Sequence, residues 1–231
     1  SDIILFVSGE YVDRQRLTDD TYKESNFTPG ADLLYTYSNG PWRVLGEYFL
    51  TDDENELERL QLGYDISDDT TAWLGRFHQP ISAWNTKYHH GAYLQPSITR
   101  PAIENWEDEN GVLPAHLTGA MLESGIRRAT GDGIHYAIGV GLGPALLDSE
   151  LRPYDLADPD STDGGLAASF AVSYYPDYVG SPNFGLLGGF TDIVVLPSTT
   201  SIPGNVTSFN IEQYVLGAQA DIAVLTTYIF K

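Results

Sequence analysis

The sequence has no cysteine and little positive charge. Without cysteine, the 231 residues can form no disulfide, no thiolate metal site and no Cys nucleophile. Only 12 Lys and Arg stand against 32 Asp and Glu, which gives a formal net charge of −20. Phosphate binding requires a basic surface, so we expect no nucleic-acid partner. The length fits one large all-β domain or two small domains.

Long hydrophobic runs are missing as well. The longest apolar stretch, residues 222–230, is far shorter than the roughly 20 residues of a membrane helix. The N-terminus shows no secretory signal, because Ser1 and Asp2 lead directly into apolar residues without a basic region or a cleavage site. Such a signal has therefore been removed or was never there.

A hydrophobic alternation with period two runs through the chain instead. It predicts half-buried β-strands, and no amphipathic helix of three turns is recognisable. The clearest examples are residues 42–50, 60–66, 136–142, 166–174 and 222–230.

The connections between these segments are of two kinds. Short turns are predicted at 39–40, 67–69 and 131–133, where Asn-Gly and Asp-Gly are hairpin signals. Other connections are longer, and they include 13–29, 79–115, 144–163 and 196–207. Long loops at one end and short turns at the other are typical of transmembrane β-barrels. We therefore predict an all-β fold, an antiparallel up-and-down transmembrane β-barrel, as one domain over residues 1–231. Its third long loop, 79–115, is predicted to fold into the lumen.

A soluble β-sandwich or a lipocalin-like barrel is the alternative fold. Two features favour the membrane barrel. The segments are longer than the usual strand of about 5–6 residues. Small and polar residues on the inward side of 139–143 and 167–171 would also make a poor soluble core.

One stretch resembles a known group of proteins. Residues 73–123, and above all "GRFHQPISAWNTKYHHG" at 75–91, resemble porin-like outer-membrane barrels of Gram-negative bacteria. The resemblance implies an outer-membrane location, a barrel fold and a transport role, but no particular solute. Bacterial barrels normally have an even number of strands, whereas about eleven strand-like segments are recognisable here. Three explanations remain: the sequence is an incomplete piece of a longer barrel, which we favour; one strand is miscounted; or the barrel is not closed.

The long connection 79–115 predicts a pore constriction. It carries four acids: Glu104, Glu107, Asp108 and Glu109. The facing wall is predicted to supply Arg43, Arg59, Arg76 and His78. Opposed charges would set up a field across the aperture that favours small polar or zwitterionic solutes. The alternative is that these acids belong to a solvated surface loop, as most charge runs do.

Four histidines are expected near the base of this connection, where Gln79 and Ala115 must come together. They are His78, His89, His90 and His116. Histidine with carboxylate suits Zn or Cu. Adjacent histidines rarely bind one ion, however, and no HExxH or HxH spacing occurs. We therefore favour histidines that pack the loop by bonding backbone carbonyls, with metal as the second interpretation and no cofactor expected.

The predicted function is a passive outer-membrane channel for small polar solutes or ions, and the acidic mouth predicts a cation preference. Its expected partners are outer-membrane lipid, the solutes, and a second copy or a partner protein. One alternative is a sealed barrel that acts as a binding or assembly scaffold. Another is a soluble barrel that binds a small ligand. No nucleophile elbow GxSxG occurs, and we expect no enzyme.

Overall fold

Strands dominate the structure, a computed structural model. It describes residues 1–15, 23–52, 55–87, 113–125, 132–147, 150–152, 154, 156, 164–176, 183–195 and 209–221. The strands are β1 Asp2–Gln15, β2 Lys23–Asn39, β3 Trp42–Thr51, β4 Asn55–Asp65, β5 Thr70–His78, β6 His116–Ser124, β7 Gly133–Leu142, β8 Ala145–Leu147, β9 Glu150–Arg152, β10 Leu166–Tyr175, β11 Asn183–Val195 and β12 Phe209–Asp221. One short helix, α1, covers Ala83–Lys87. Within these ranges no helix is long and apolar enough to cross a membrane.

Ten long strands form a single antiparallel meander. From β1 to β7, and on through β10, β11 and β12, each strand hydrogen-bonds to the next along the chain. The two short strands β8 and β9 form a hairpin, and β8 pairs in parallel with the end of β11 at Val194 and Val195. The predicted all-β, antiparallel, up-and-down fold is confirmed.

Several predicted connections coincide with strand ends. Gly40, with φ 56, and Pro41 make the turn between β2 and β3. The connection 79–115 begins directly after β5 and ends directly before β6. The predicted loop 13–29 is shorter than expected, because β1 and β2 pair as far as Gln15 and Lys23. The predicted last segment, 222–230, lies outside the described residues.

The sheet is open. Among the described strands, β1 pairs only with β2, and β12 pairs only with β11. The described strands therefore do not form the closed barrel that the sequence predicts. They form a sheet with β1 and β12 at its two edges.

Strand pairing carries the sequence alternation across the whole sheet. One cross-strand row joins β3 to β12 through Val44, Leu62, Leu74, Ala120, Val140, Ala168, Phe190 and Tyr214. The side chains of this row define the apolar face. Most of the large exposed hydrophobic residues of the strands share it: Ile3, Leu5, Val7, Tyr11, Phe27, Leu33, Tyr35, Tyr37, Trp42, Leu50, Leu60, Leu62, Tyr64, Leu74, Ile134, Ile138, Val140, Leu142, Leu166, Phe170, Val172, Tyr174, Phe184, Leu186, Tyr214 and Leu216. The exceptions in the strands are Ile4 and Ile211.

The opposite side of the sheet, the polar face, carries small, polar and charged residues. Its matching row runs through Arg43, Gly63, Trp73, Met121, Gly139, Ser169, Gly189 and Val215. The buried hydrophobic cluster lies here and is small, since it consists of Phe77, Leu117, Met121 and Ala167. The sheet thus buries few hydrophobic side chains and exposes many.

Three glycines bring the backbones of β5, β6 and β7 close together. Gly75, Gly119 and Gly141 are direct neighbours across the three strands. Gly75 has φ 133, a backbone conformation that residues with a Cβ atom rarely adopt. A Cβ atom on any of the three would collide with the carbonyl group of a neighbouring strand. Larger residues are therefore excluded from this row.

Candidate functional site

Two ion pairs connect neighbouring strands on the polar face. Arg43 on β3 binds Asp65 on β4, with 2.6 Å between Nη2 and Oδ2. Arg59 on β4 binds its cross-strand neighbour Glu47 on β3. The predicted partners of Arg43 and Arg59, the acids Glu104, Glu107, Asp108 and Glu109, lie outside the described residues. Within the described part of the chain, strand carboxylates already neutralise both arginines.

A network of hydrogen bonds from main-chain and side-chain amide groups holds the base of the long connection together. The main-chain nitrogen of Gln79 donates to the carbonyl oxygen of Ala115 at 2.8 Å, and its side-chain amide donates to the carbonyl of His116 at 3.0 Å. Asn85 in α1 donates to the carbonyls of Gln79 and Ala115 at 2.8 and 2.7 Å. The two ends of the connection are therefore fixed to each other, as predicted from the sequence.

The first residues of this connection fold over the polar face. The Cγ2 atom of Ile81 lies 3.1 Å from the position that a Cβ atom on Gly189 of β11 would occupy. Ile81 is only 2% exposed. A cavity of about 140 Å³ remains between the loop base and the sheet, with Pro80, Glu123 and His135 in its lining. The described start of the loop thus covers part of the polar face, while residues 88–112, with His89 and His90, lie outside the described residues.

Arg76 does not join the other two arginines. It belongs to the cross-strand row of Leu60, Thr118 and Leu142, which is on the side opposite to Phe77. Its side chain is fully buried. The guanidinium donates to the main-chain carbonyls of Glu58 and Tyr154 at 3.2 and 3.3 Å, and it forms an ion pair with Glu56.

The main chain at Tyr154 lies against the end of β5 and the start of β6. Its carbonyl oxygen also accepts a bond from Thr118 Oγ1 at 2.9 Å. The main chain at Tyr154 is thereby bound to both β5 and β6. Its contacts with Arg76 and Thr118 keep a charged side chain on the apolar side away from the surface.

Two predicted histidines meet at the ends of β5 and β6. His78 and His116 are direct cross-strand neighbours, and their ring centroids are 5.0 Å apart. His116 Nε2 lies 2.9 Å from Glu58 Oε2. One ligand atom from each of Glu58, His78 and His116 falls within 4.8 Å of the other two. Glu58 and His116 are each 3% exposed, and His78 is half-buried. Two imidazoles and one carboxylate are a ligand set that suits divalent transition metals.

Glu58 is the member of this group that the sequence does not reveal. The pairing of β3 with β4 shifts by one residue between Glu47 and Tyr48, and Glu58 is the extra residue of the resulting bulge. In addition, β4 stops pairing with β5 at Leu60 and Arg76. Glu58 thereby leaves the regular alternation of its strand and reaches the histidine pair. No motif in the sequence marks this bulge.

No protein-family model, no curated protein and no solved structure matches this chain. The resemblance to porin-like barrels therefore stays a prediction, and any functional conclusion depends on the geometry of the described residues.

Proposed function

We propose that this protein is a membrane-embedded β-sheet protein whose polar face lines a path for water and small solutes, as in an outer-membrane porin. The observation that supports it best is the distribution of hydrophobic residues. Large apolar side chains that would form the core of a soluble domain are exposed along one face of nine of the ten long strands, all except β6. Examples are Val7, Leu74 and Leu216, which are 78%, 61% and 81% exposed.

Exposure on this scale is unfavourable in water. Burial of apolar surface contributes about 25 cal/mol per Å², and monomeric soluble proteins rarely expose apolar patches above a few hundred Å². Lipid tails would remove this cost. The strands are also long enough, because a strand that crosses at a tilt needs about 9–11 residues. β3, β5, β6, β7 and β10 have 10, 9, 9, 10 and 10 residues.

A bilayer imposes a further requirement on the two open edges. Unpaired backbone groups cannot face hydrocarbon, so β1 and β12 must both be paired in a membrane. We therefore propose that the edges of β1 and β12 are both paired in the membrane, so that the polar face is enclosed. The charged residues Arg43, Asp65, Glu47 and Arg59 then line the enclosed side.

A sealed barrel is the second candidate. The polar face is partly filled, because Ile81 reaches across to Gly189, and one cavity between the loop base and the sheet holds about 140 Å³. A filled lumen would leave the long loops as a binding or assembly surface for a partner protein. This candidate shares the membrane location but passes no ions.

Two measurements separate these functions. Purification with and without detergent tests the membrane location: we expect aggregation in plain buffer and a monodisperse species in detergent. A monodisperse protein in plain buffer would instead support the soluble barrel. Planar-bilayer recording then tests the path for water, with discrete conductance steps expected. Stable insertion without conductance would favour the sealed barrel.

A further inference from the structure

We propose that Glu58, His78 and His116 form a binding site for a divalent transition-metal ion of the Zn²⁺ class. The three side chains come from three different strands, β4, β5 and β6, and meet where β4 separates from β5. The ion would join these strands at a point where backbone pairing between β4 and β5 has ended. This inference is independent of the membrane location.

The distances fit an ion after small side-chain adjustments. Zn²⁺ binds histidine nitrogen at about 2.0–2.1 Å and carboxylate oxygen at about 2.0–2.2 Å, which places tetrahedral ligands about 3.4 Å from each other. His116 Nε2 and Glu58 Oε2 are 2.9 Å apart, and all three ligand atoms lie within 4.8 Å of one another. A movement of about 1 Å in the side chains would complete the geometry.

The surroundings favour a fixed site. The carbonyl of His116 accepts a bond from the buried amide of Gln79, and Asn85 holds the neighbouring carbonyl of Ala115. These bonds fix the backbone that carries the histidine. His78 is half-buried, so one of the three proposed ligands is partly exposed.

Charge around the site is also compatible with a cation. One positive group close to the site is the guanidinium of Arg76, which donates to the main-chain carbonyl of Glu58 and is paired with Glu56. Glu56 neutralises this arginine, so the carboxylate of Glu58 remains as the negative charge for the ion. Three protein ligands leave the fourth position of a tetrahedral ion for water or another small ligand.

Metal titration of the purified full chain tests the proposal. We expect one Zn²⁺ per chain by isothermal titration calorimetry, and an intense visible absorption from tetrahedral Co²⁺ bound in its place. His78→Ala and His116→Ala should each weaken Zn²⁺ binding at least about tenfold. Substitution of a residue that only supports a metal ligand already costs about that much affinity. Glu58→Gln keeps the shape of the side chain and should also weaken binding by about tenfold or more.

His135→Ala is the matched control. His135 packs against Tyr175, with ring centroids 4.4 Å apart, and is outside the proposed site. Its variant should bind Zn²⁺ like the unchanged chain. Circular dichroism establishes that each variant has folded. The proposal is overturned if the folded, unchanged chain shows no binding at micromolar Zn²⁺. It is equally overturned if binding survives both histidine variants, since the ion would then be held elsewhere, for instance at His89 and His90.

Discussion

Ile81 reaches across the polar face to Gly189, and its Cγ2 atom lies 3.1 Å from the point where a Cβ atom would stand on that glycine. The two residues belong to distant parts of the chain, the base of the long connection and the strand β11. Because Gly189 has no side chain, β11 leaves space into which the loop base packs.

The first prediction concerns this contact. Ile81→Ala should lower the free energy of unfolding by about 2–5 kcal/mol, because it removes buried methyl groups and leaves a cavity. Ile66→Ala is the control, since Ile66 is 60% exposed, and its effect should stay within about 0.5 kcal/mol. Urea unfolding of both variants measures the difference. Equal effects for the two would show that Ile81 is not packed against the sheet.

The second prediction compares the same substitution, Arg to Gln, at two arginines. Arg43 is 30% exposed on the polar face, whereas Arg76 is fully buried. Arg43→Gln should shift ion selectivity toward cations by up to about fivefold in permeability ratio, since one charge about 4 Å from an ion in water contributes about 1 kcal/mol. Arg76→Gln should leave selectivity unchanged.

Stability should respond in the opposite order. Arg76→Gln removes a fully buried cation from the partly buried Glu56 and should cost about 3–5 kcal/mol, whereas loss of the partly exposed Arg43 from its pair with Asp65 should cost about 1 kcal/mol or less. Reversal potentials in a salt gradient and urea unfolding provide the two readouts. A selectivity change in Arg76→Gln without one in Arg43→Gln would contradict the assignment of the polar face.

The third prediction concerns two glycines, Gly75 on β5 and Gly46 on β3. Gly75→Ala should prevent folding or cost more than about 2 kcal/mol, because φ 133 is strained for alanine and the new methyl group would collide with the carbonyl of Leu60. Gly46→Ala should be nearly neutral, since its nearest neighbour, Leu60 Cδ1, is 4.0 Å from the new atom. The yield of refolded protein and the midpoint of urea unfolding measure both. A neutral Gly75→Ala would show that β5 does not need this backbone conformation.

The fourth prediction uses the absence of cysteine. Val7→Cys and Ser8→Cys place single thiols on adjacent exposed positions of β1, one on the apolar face and one on the polar face. In lipid vesicles, a bimane label on Val7→Cys should be quenched by brominated lipid and protected from iodide, because it faces hydrocarbon. The label on Ser8→Cys should show the reverse. Equal iodide quenching at both positions would rule out lipid on the apolar face.

The sequence predicts several strands and strand ends, because these depend on local chemistry, although β1 and β2 extend into the predicted loop 13–29. Alternation with period two defines the two faces, and Asn39-Gly40 supplies the positive φ of a tight turn. The bounds of the connection 79–115 coincide with the ends of β5 and β6. The sequence also indicates that its two ends meet, since β5 and β6 are neighbours in a meander. The β8–β9 hairpin was missed, because strands of three residues carry no periodic signal.

What the sequence determined is which residues alternate, and therefore that one face of the sheet is apolar and the other polar. Only the tertiary structure decided which of these residues meet. A bulge in β4 brings Glu58 to His78 and His116. Arg76 belongs to a row on the apolar side, whereas Arg43 and Arg59 lie on the polar face. The physical reason is that register between strands depends on backbone pairing over long separations, and a shift of one residue changes the face of every side chain that follows.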